Sequence, residues 1–277
     1  MAAQDSAWVV HRAANDRRLS TAARNLWQAR ELVAFFAVRD VRLRYRQAAL
    51  GVLWVIAQPI AMVLVFSAIF SGGVGVDTGN VPYPLFALVG LLSWTYFATA
   101  VTRGSESLVS DADLVTKVSF PRLAVPSAAL IPALLDLAVG LSLFLGLCAV
   151  YQQPLGWHLA LVPVWLLVMG AFCLGLNLWL SALNVRYRDV RNAIGPALQV
   201  LLFASPVAYP STLIEGSWRL AYEINPLTGI IELGRFAFLG TEWPGRQLII
   251  AVVWAVGALV LGFRYFQKVE RTLADVI

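Results

Sequence analysis

Charge is what this sequence has least of. Asp, Glu, Lys and Arg make up 13% of its 277 residues, against roughly a quarter in a soluble domain. Such a chain cannot present water-compatible side chains over most of its surface. Histidine is nearly missing: His11 and His158 stand far apart, too few to build a metal cluster. The only cysteines, Cys148 and Cys173, fall inside apolar runs without CxxC spacing. They read as small buried residues and carry no information on redox compartment. There is no G-x-x-x-x-G-K-[ST] and no H-E-x-x-H, so neither a nucleotide-binding P-loop nor a zinc protease helix is encoded. No low-complexity linker and no inverted repeat of the secondary-transporter kind is present. Residues 1–30 carry Arg12, Arg17, Arg18, Arg24 and Arg30 with no long apolar core before Leu50. No cleavable signal peptide is expected there, and the N-terminus is expected to stay in the cytoplasm.

What is present in quantity is apolar sequence: 59% hydrophobic residues, ten Trp and a mean hydropathy of +0.72. A bilayer core of about 30 Å needs roughly 20 apolar residues in helix. Six segments qualify or nearly so: Gly51–Ser71, Val81–Thr102, Leu123–Val150, Trp157–Val185, Asn192–Ile214 and the shorter Gln247–Phe263. Asp136 is the one charge among them. A helix satisfies its own backbone polar groups, as lipid demands. The net charge of +5 could signal nucleic acid, but the cations sit between apolar blocks. With the N-terminus inside, 18 of the 21 Lys and Arg fall on the cytoplasmic side, leaving only Arg219, Arg235 and Arg246 outside. That is the positive-inside asymmetry, and it puts both termini in the cytoplasm. No nucleic-acid partner is expected.

Two segments do not read as spans. Leu26–Arg46 mixes Leu32, Phe35, Phe36 and Leu43 with many charges, which fits an amphipathic helix in the cytoplasmic interface. Glu215–Gly240 is too charged to span and too apolar for a free loop. It reads as a re-entrant or interfacial helical pair on the outer face, with Glu232 and Arg235 turned to protein or water. The expected fold is therefore all-α and integral to the membrane: six transmembrane helices, an N-terminal interfacial helix, and an external re-entrant pair between helices five and six. It forms one domain over 1–277, with a tail and interfacial helix at 1–50, the membrane domain at 51–267 and a cytoplasmic tail at 268–277.

Four groups of residues could carry chemistry. Arg39, Arg42, Arg44 and Arg46 precede the first span. Basic residues there keep a tail inside; they also suit an anion collar for a diphosphate-linked lipid, since Arg makes forked phosphate contacts. The loop ESLVSDADLVTKVSFPR, residues 106–122, predicts a short helix from Ser110 to Ser119, ended by Phe120-Pro121. It is either an ordinary loop or a coupling helix for a soluble partner, through Asp113, Leu114 and Lys117. The run NVRYRDVR, with Arg186, Arg188 and Asp189, would be a second contact to that partner or plain topology charge. Trp54, Phe66, Phe70, Trp94 and Phe97 either face lipid or line a passage for sugar rings. Asp136, after Pro126 and Pro132, reads as a structural carboxyl serving freed backbone groups rather than a proton relay. Small-xxx-small pairs, Ala171 with Gly175 and Ala258 with Gly262, permit close helix packing and hint only weakly at a dimer.

Taken together, RDVRLRYRQAALGVLWVIAQP, LVTKVSFPR, SALNVRYRDV, SPVAYP and NPLTGIIELGR resemble, in order from Arg39 to Arg235, the ABC transporter permeases of the polysaccharide and polyol-phosphate export family. O-antigen and teichoic-acid export permeases are members. The resemblance implies a homodimer in the bacterial inner membrane, completed by two cytoplasmic ATP-binding subunits. ATP and Mg would be handled on those subunits and no cofactor on this chain. Asp113–Ser119 would be the coupling helix, with the Arg186–Asp189 turn near it. The cargo would be a lipid-linked polysaccharide entering at the Arg collar and passing aromatics of the first, second and fifth spans. Two other readings stand beside this one: an ABC permease for a smaller lipid or drug, and a membrane glycosyltransferase using Asp111 and Asp113 as a metal-binding pair.

Overall fold

The computed structural model describes residues 24, 26–46, 52–112, 120–187, 189–214, 216 and 218–270. Helices dominate, and no strand occurs among the described residues. In chain order they are α1 Arg30–Arg46, α2 Val52–Phe66, α3 Tyr83–Ser110, α4 Ala124–Ala128, α5 Leu130–Tyr151, α6 Val162–Arg186, α7 Asp189–Phe203, α8 Trp218–Ile224, α9 Pro226–Leu239 and α10 Gly245–Glu270. The end of α2 widens into a π-helical stretch, Ser67–Val74, closed by Gly75 at φ +68°. That left-handed conformation costs a side-chain residue energy and glycine none.

Four stretches are long and apolar enough to cross a membrane: Tyr83–Ser110, Ala124–Tyr151, Trp157–Arg186 and Gly245–Glu270. Two expected spans come out shorter. The apolar stretch Ile56–Ser71 falls below spanning length. The stretch expected at 192–214 begins earlier, at Asp189, but its helix stops at Phe203. Pro206 and Pro210 lie just beyond; proline has no N–H to donate and disfavours helix in the residue before it. Hydropathy continues through this segment while helix does not.

α3 is the central element. About 78% of its apolar window is buried, against 22–33% for the other three, so it has protein neighbours nearly all round while the others keep an open face. Those faces carry Leu167, Val253 and Leu261, each about two-thirds exposed or more, an apolar surface suited to lipid. α3 packs on α5, α6 and α9, and α6 packs on α10 along much of its length.

Lipid tails are as apolar as leucine, so helices in a bilayer gain mainly from close packing and hydrogen bonds. Glycine provides the closeness. A Cβ on Gly175 would lie 2.4 Å from the Ala258 carbonyl carbon, and one on Gly262 2.1 Å from the Gly175 oxygen. The small-residue pairs are thus used within the chain, joining α6 to α10. Gly104 admits the Asn177 side chain between α3 and α6 in the same way.

Candidate functional site

Two polar clusters sit at opposite ends of α3. At its N-terminal end, Arg235 of α9 is completely buried. Its Nη2 donates to Val207 O at 2.9 Å, and its Nη1 to Tyr209 O at 3.3 Å and Glu232 Oε1 at 3.1 Å. The guanidinium lies 3.6 Å from the centroid of the Phe86 ring, a close cation–π approach. Gly90 makes room: a Cβ there would fall 2.1 Å from Val207 O.

Asn225 works beside it. Its Oδ1 caps α9 by accepting from Leu227 N at 3.0 Å. Its Nδ2 donates to Ala204 O at 2.9 Å and Ser205 Oγ at 3.0 Å. The hydroxyls of Tyr209 and Tyr222 meet each other, and both lie within reach of Phe203 O, at 2.7 and 3.1 Å; with one proton each, one hydroxyl donates to that carbonyl and the other to its neighbour's oxygen. The carbonyls of Phe203, Ala204, Val207 and Tyr209, at and beyond the end of α7, are therefore met by side chains, as buried backbone groups require. The blocks SPVAYP and NPLTGIIELGR form one interlocked unit.

Aromatic rings continue from this unit. Phe66 packs edge-on against Phe70 at 6.1 Å, Phe70 stacks on Tyr83 at 6.4 Å and leans on Tyr209 at 6.1 Å. Tyr83 donates to Ala208 O at 2.6 Å. Phe66 and Phe70 are half-buried and adjacent, whereas Phe97 is 2% exposed and stacks on Phe172 inside the core at 5.8 Å. Trp94 leans on Phe97. Of the five expected passage aromatics, then, Phe97 is enclosed within the subunit and Phe66 with Phe70 form a partly open row. Tyr209 and Tyr222 extend that row and were not singled out from sequence; the signal lay in the tyrosine of SPVAYP. The side chain of Trp54 lies outside the described residues.

At the other end of α3, Arg39 Nη2 reaches Asp111 at 2.7 Å and Asp40 at 2.8 Å. Burial alone would lower the Arg39 pKa, but hydrogen bonds to Asp111 and Asp40 outweigh it and the pKa is raised. Arg191 of α7 pairs with Glu106 of α3 at 3.0 Å, Asn184 donates to Ser105 O at 3.0 Å, and Arg122 donates to the Glu270 carbonyl at 2.9 Å. Arg42 is exposed, as are Arg186 and Asp189, and Arg186 lies over the Tyr187 ring at 5.4 Å. Asp113, Leu114, Lys117 and Arg188 lie outside the described residues, as do the side chains of Arg44 and Arg46. Between the two ends, Asp136 is 6% exposed and lines a small recess with Gln58, Thr95 and Tyr96. Among the described residues no group of three His, Cys, Asp or Glu could hold a metal ion.

Comparison with known proteins gives these features a family. Residues 31–239 match the ABC-2 type transporter family model. The chain is 33% identical over 241 residues to the O-antigen export system permease protein RfbA of Myxococcus xanthus, covering 86% of this chain and 91% of that protein. A Klebsiella pneumoniae protein of the same name is 25% identical over 257 residues, covering 91% and 97%. The polysialic acid transport protein KpsM of Escherichia coli is 24% identical over 240 residues, covering 85% and 92%. With three-quarters of its length inside the family match, and helices able to cross a membrane, the chain belongs to the ABC-2 type transporter family of membrane permeases.

Proposed function

We propose that this chain is the membrane subunit of an ATP-driven exporter that carries a lipid-linked polysaccharide, of O-antigen type, across a bacterial inner membrane. The observation that carries this reading is the near full-length similarity to O-antigen export permeases, with the polysialic acid transporter further off. The functional unit would be a homodimer with two cytoplasmic ATP-binding subunits that hold Mg-ATP; this chain would catalyse nothing itself. Each subunit would use six spans, counting α2 and α7 with the four long helices, and both termini would be cytoplasmic. α8 and α9 would form the external re-entrant pair, fixed by Glu232 and Arg235.

The collar for a lipid diphosphate falls in this reading on Arg42, Arg44 and Arg46. Arg39 already faces two carboxylates, so it offers an incoming anion little net attraction. Asp113, Leu114 and Lys117 would seat on the ATPase, with Arg186, Arg188 and Asp189 beside them. Phe66 and Phe70, continued by Tyr209 and Tyr222, would give sugar rings a row of apolar faces with polar edges. Trp54 and Trp94 would belong to the same lining. The glycosyltransferase alternative loses force because the Asp111 carboxylate is bound by Arg39; a guanidinium already supplies the counter-charge that a metal would bring. Removing this chain from its native bacterium should strip the glycan from the cell surface and accumulate its lipid-linked form inside. Unchanged surface glycan would contradict the proposal.

A further inference from the structure

At the end of the bundle where α3 begins, the last turns of α9 are held from two sides. Arg235 is buried and binds the backbone beyond α7. Phe236, one residue on and about 100° around the helix, is half-buried between two tryptophans. Its ring meets Trp157 edge-on with centroids 6.1 Å apart, and Trp243 edge-on at 5.0 Å. His158 tilts against the same ring at 6.2 Å. Its Nδ1 lies 3.1 Å from the carbonyl of Ala237; a carbonyl only accepts, so that nitrogen carries the proton. The turn leading into α6 is thus bonded to the end of α9. Two glycines make room for the imidazole: a Cβ on Gly156 or Gly240 would fall 2.5 or 2.6 Å from its Nε2.

The tryptophans themselves stay uncovered, Trp157 at 76% exposure and Trp243 at 54%. Three apolar helices end at this level. α5 closes at Tyr151, the turn before α6 opens at Trp157, and Trp243 stands two residues before α10. The exposed surface running on from the rings is aliphatic: Val150, Leu167, Ile249 and Val253 are each about two-thirds exposed or more. Rings with an apolar body and a polar tip, placed at the ends of apolar helices, match the headgroup level of a bilayer. A saccharide would instead need polar partners for its hydroxyls around the rings.

We propose that Trp157, Phe236 and Trp243 form a seat for glycerophospholipid headgroups, and that the lipid thereby fixes the depth of α9. In the topology proposed above the seat belongs to the outer leaflet. Because α9 also holds the backbone beyond α7 through Arg235, headgroup contact at the rim sets the position of the interlocked unit inside. The inference goes beyond the export reading and needs only the membrane, whatever the cargo.

The test places the full chain, labelled with fluorotryptophan, in phosphatidylethanolamine–phosphatidylglycerol nanodiscs. The fluorine NMR line lost in Trp157→Phe, and the one lost in Trp243→Phe, assign the two indoles. A nitroxide on the lipid headgroup is expected to broaden both lines more than a nitroxide at the acyl-chain end, and more than a water-soluble gadolinium chelate. Trp157→Ala with Trp243→Ala is expected to lower the melting temperature further in nanodiscs than in detergent. Trp157→Tyr with Trp243→Tyr should recover most of that loss, because tyrosine also settles at the headgroup level. Lines broadened chiefly by the chelate overturn the seat and leave the rings to water or a saccharide. Lines broadened chiefly from the chain end, or untouched by all three probes, overturn it as well, the latter assigning the patch to a protein surface. Equal losses in nanodiscs and detergent overturn the link between lipid and α9.

Discussion

Arg235 Nη2 donates to the carbonyl of Val207 at 2.9 Å, from the last full turn of α9 to a stretch of backbone that has just left helix. The contact explains how the chain can end α7 early in an apolar setting. Backbone that is neither helix nor sheet is tolerated at membrane depth only where protein satisfies it. Arg235 has the donors and the planar fork to satisfy two carbonyls and a carboxylate together.

Arg235→Met should therefore be among the most damaging single changes in the molecule. It leaves the part-buried Glu232 without its cation and two carbonyls without donors, a loss of about 3–5 kcal/mol if the pair behaves as a buried one. Arg235→Lys should recover little, since an ammonium cannot span the same acceptors. Thermal unfolding in mild detergent, followed by size-exclusion chromatography, measures it. A melting temperature within error of the parent would show that the carbonyls are met in some other way.

The glycines divide into two classes. Gly262→Ala forces a methyl against the Gly175 carbonyl and should cost about 1–3 kcal/mol by overpacking. Gly146→Ala and Gly257→Ala meet nothing within 4 Å. They should be neutral or stabilise by up to about 1 kcal/mol, because alanine is the better helix former. The same melting assay ranks the three. Equal effects would mean that α6 and α10 do not pack through their small residues.

At the Arg39 end, burial should separate two polar contacts of similar length. Asn184→Ala removes a buried donor to Ser105 O and should cost about 1 kcal/mol or somewhat more, the net worth of a buried hydrogen bond, while the carbonyl keeps its partner in the helix. Glu106→Gln weakens a more exposed pair with Arg191 and should cost under about 1 kcal/mol, falling further in high salt. A larger loss for Glu106→Gln would reverse the ranking and imply that Arg191 carries a role beyond surface pairing.

Replacing Arg42, Arg44 and Arg46 together with Gln should weaken engagement of undecaprenyl diphosphate about tenfold or more, since one lost charge-assisted hydrogen bond already corresponds to a decade in affinity. ATP-binding subunits should still co-purify in full. Concentration dependence of stimulated ATP hydrolysis reads the first effect and stoichiometry the second. Unchanged stimulation would reduce these residues to topology signals.

Much of the fold was legible in apolar run length and in the placement of Lys and Arg, because lipid punishes exposed backbone so heavily. The helices Ala124–Tyr151 and Trp157–Arg186 lie close to where run length put them. Two helices, α8 and α9, occupy the stretch 215–240 that was too charged to span and too apolar for a loop. What run length could not see was the stop at Phe203. Residues 192–214 stay uncharged, and the helix ends because Pro206 and Pro210 coincide with donors arriving from Asn225, Tyr222 and Arg235. Those donors come from 12 or more residues away in sequence. Nor could aromatic composition separate Phe97, enclosed in the core, from Phe66 and Phe70 on a partly open row. Arg39 looked like its three basic neighbours until the fold brought Asp111 to it across 72 residues.

The central claim is that this chain moves a lipid-linked glycan using a partner's ATP. It is tested most directly by purifying the chain from its native membrane in mild detergent, identifying what accompanies it, and assaying ATP hydrolysis with and without the native lipid-linked glycan. The account predicts a stoichiometric ATP-binding subunit whose hydrolysis changes with the glycan. A chain that purifies alone, with no partner hydrolysing ATP, would contradict it.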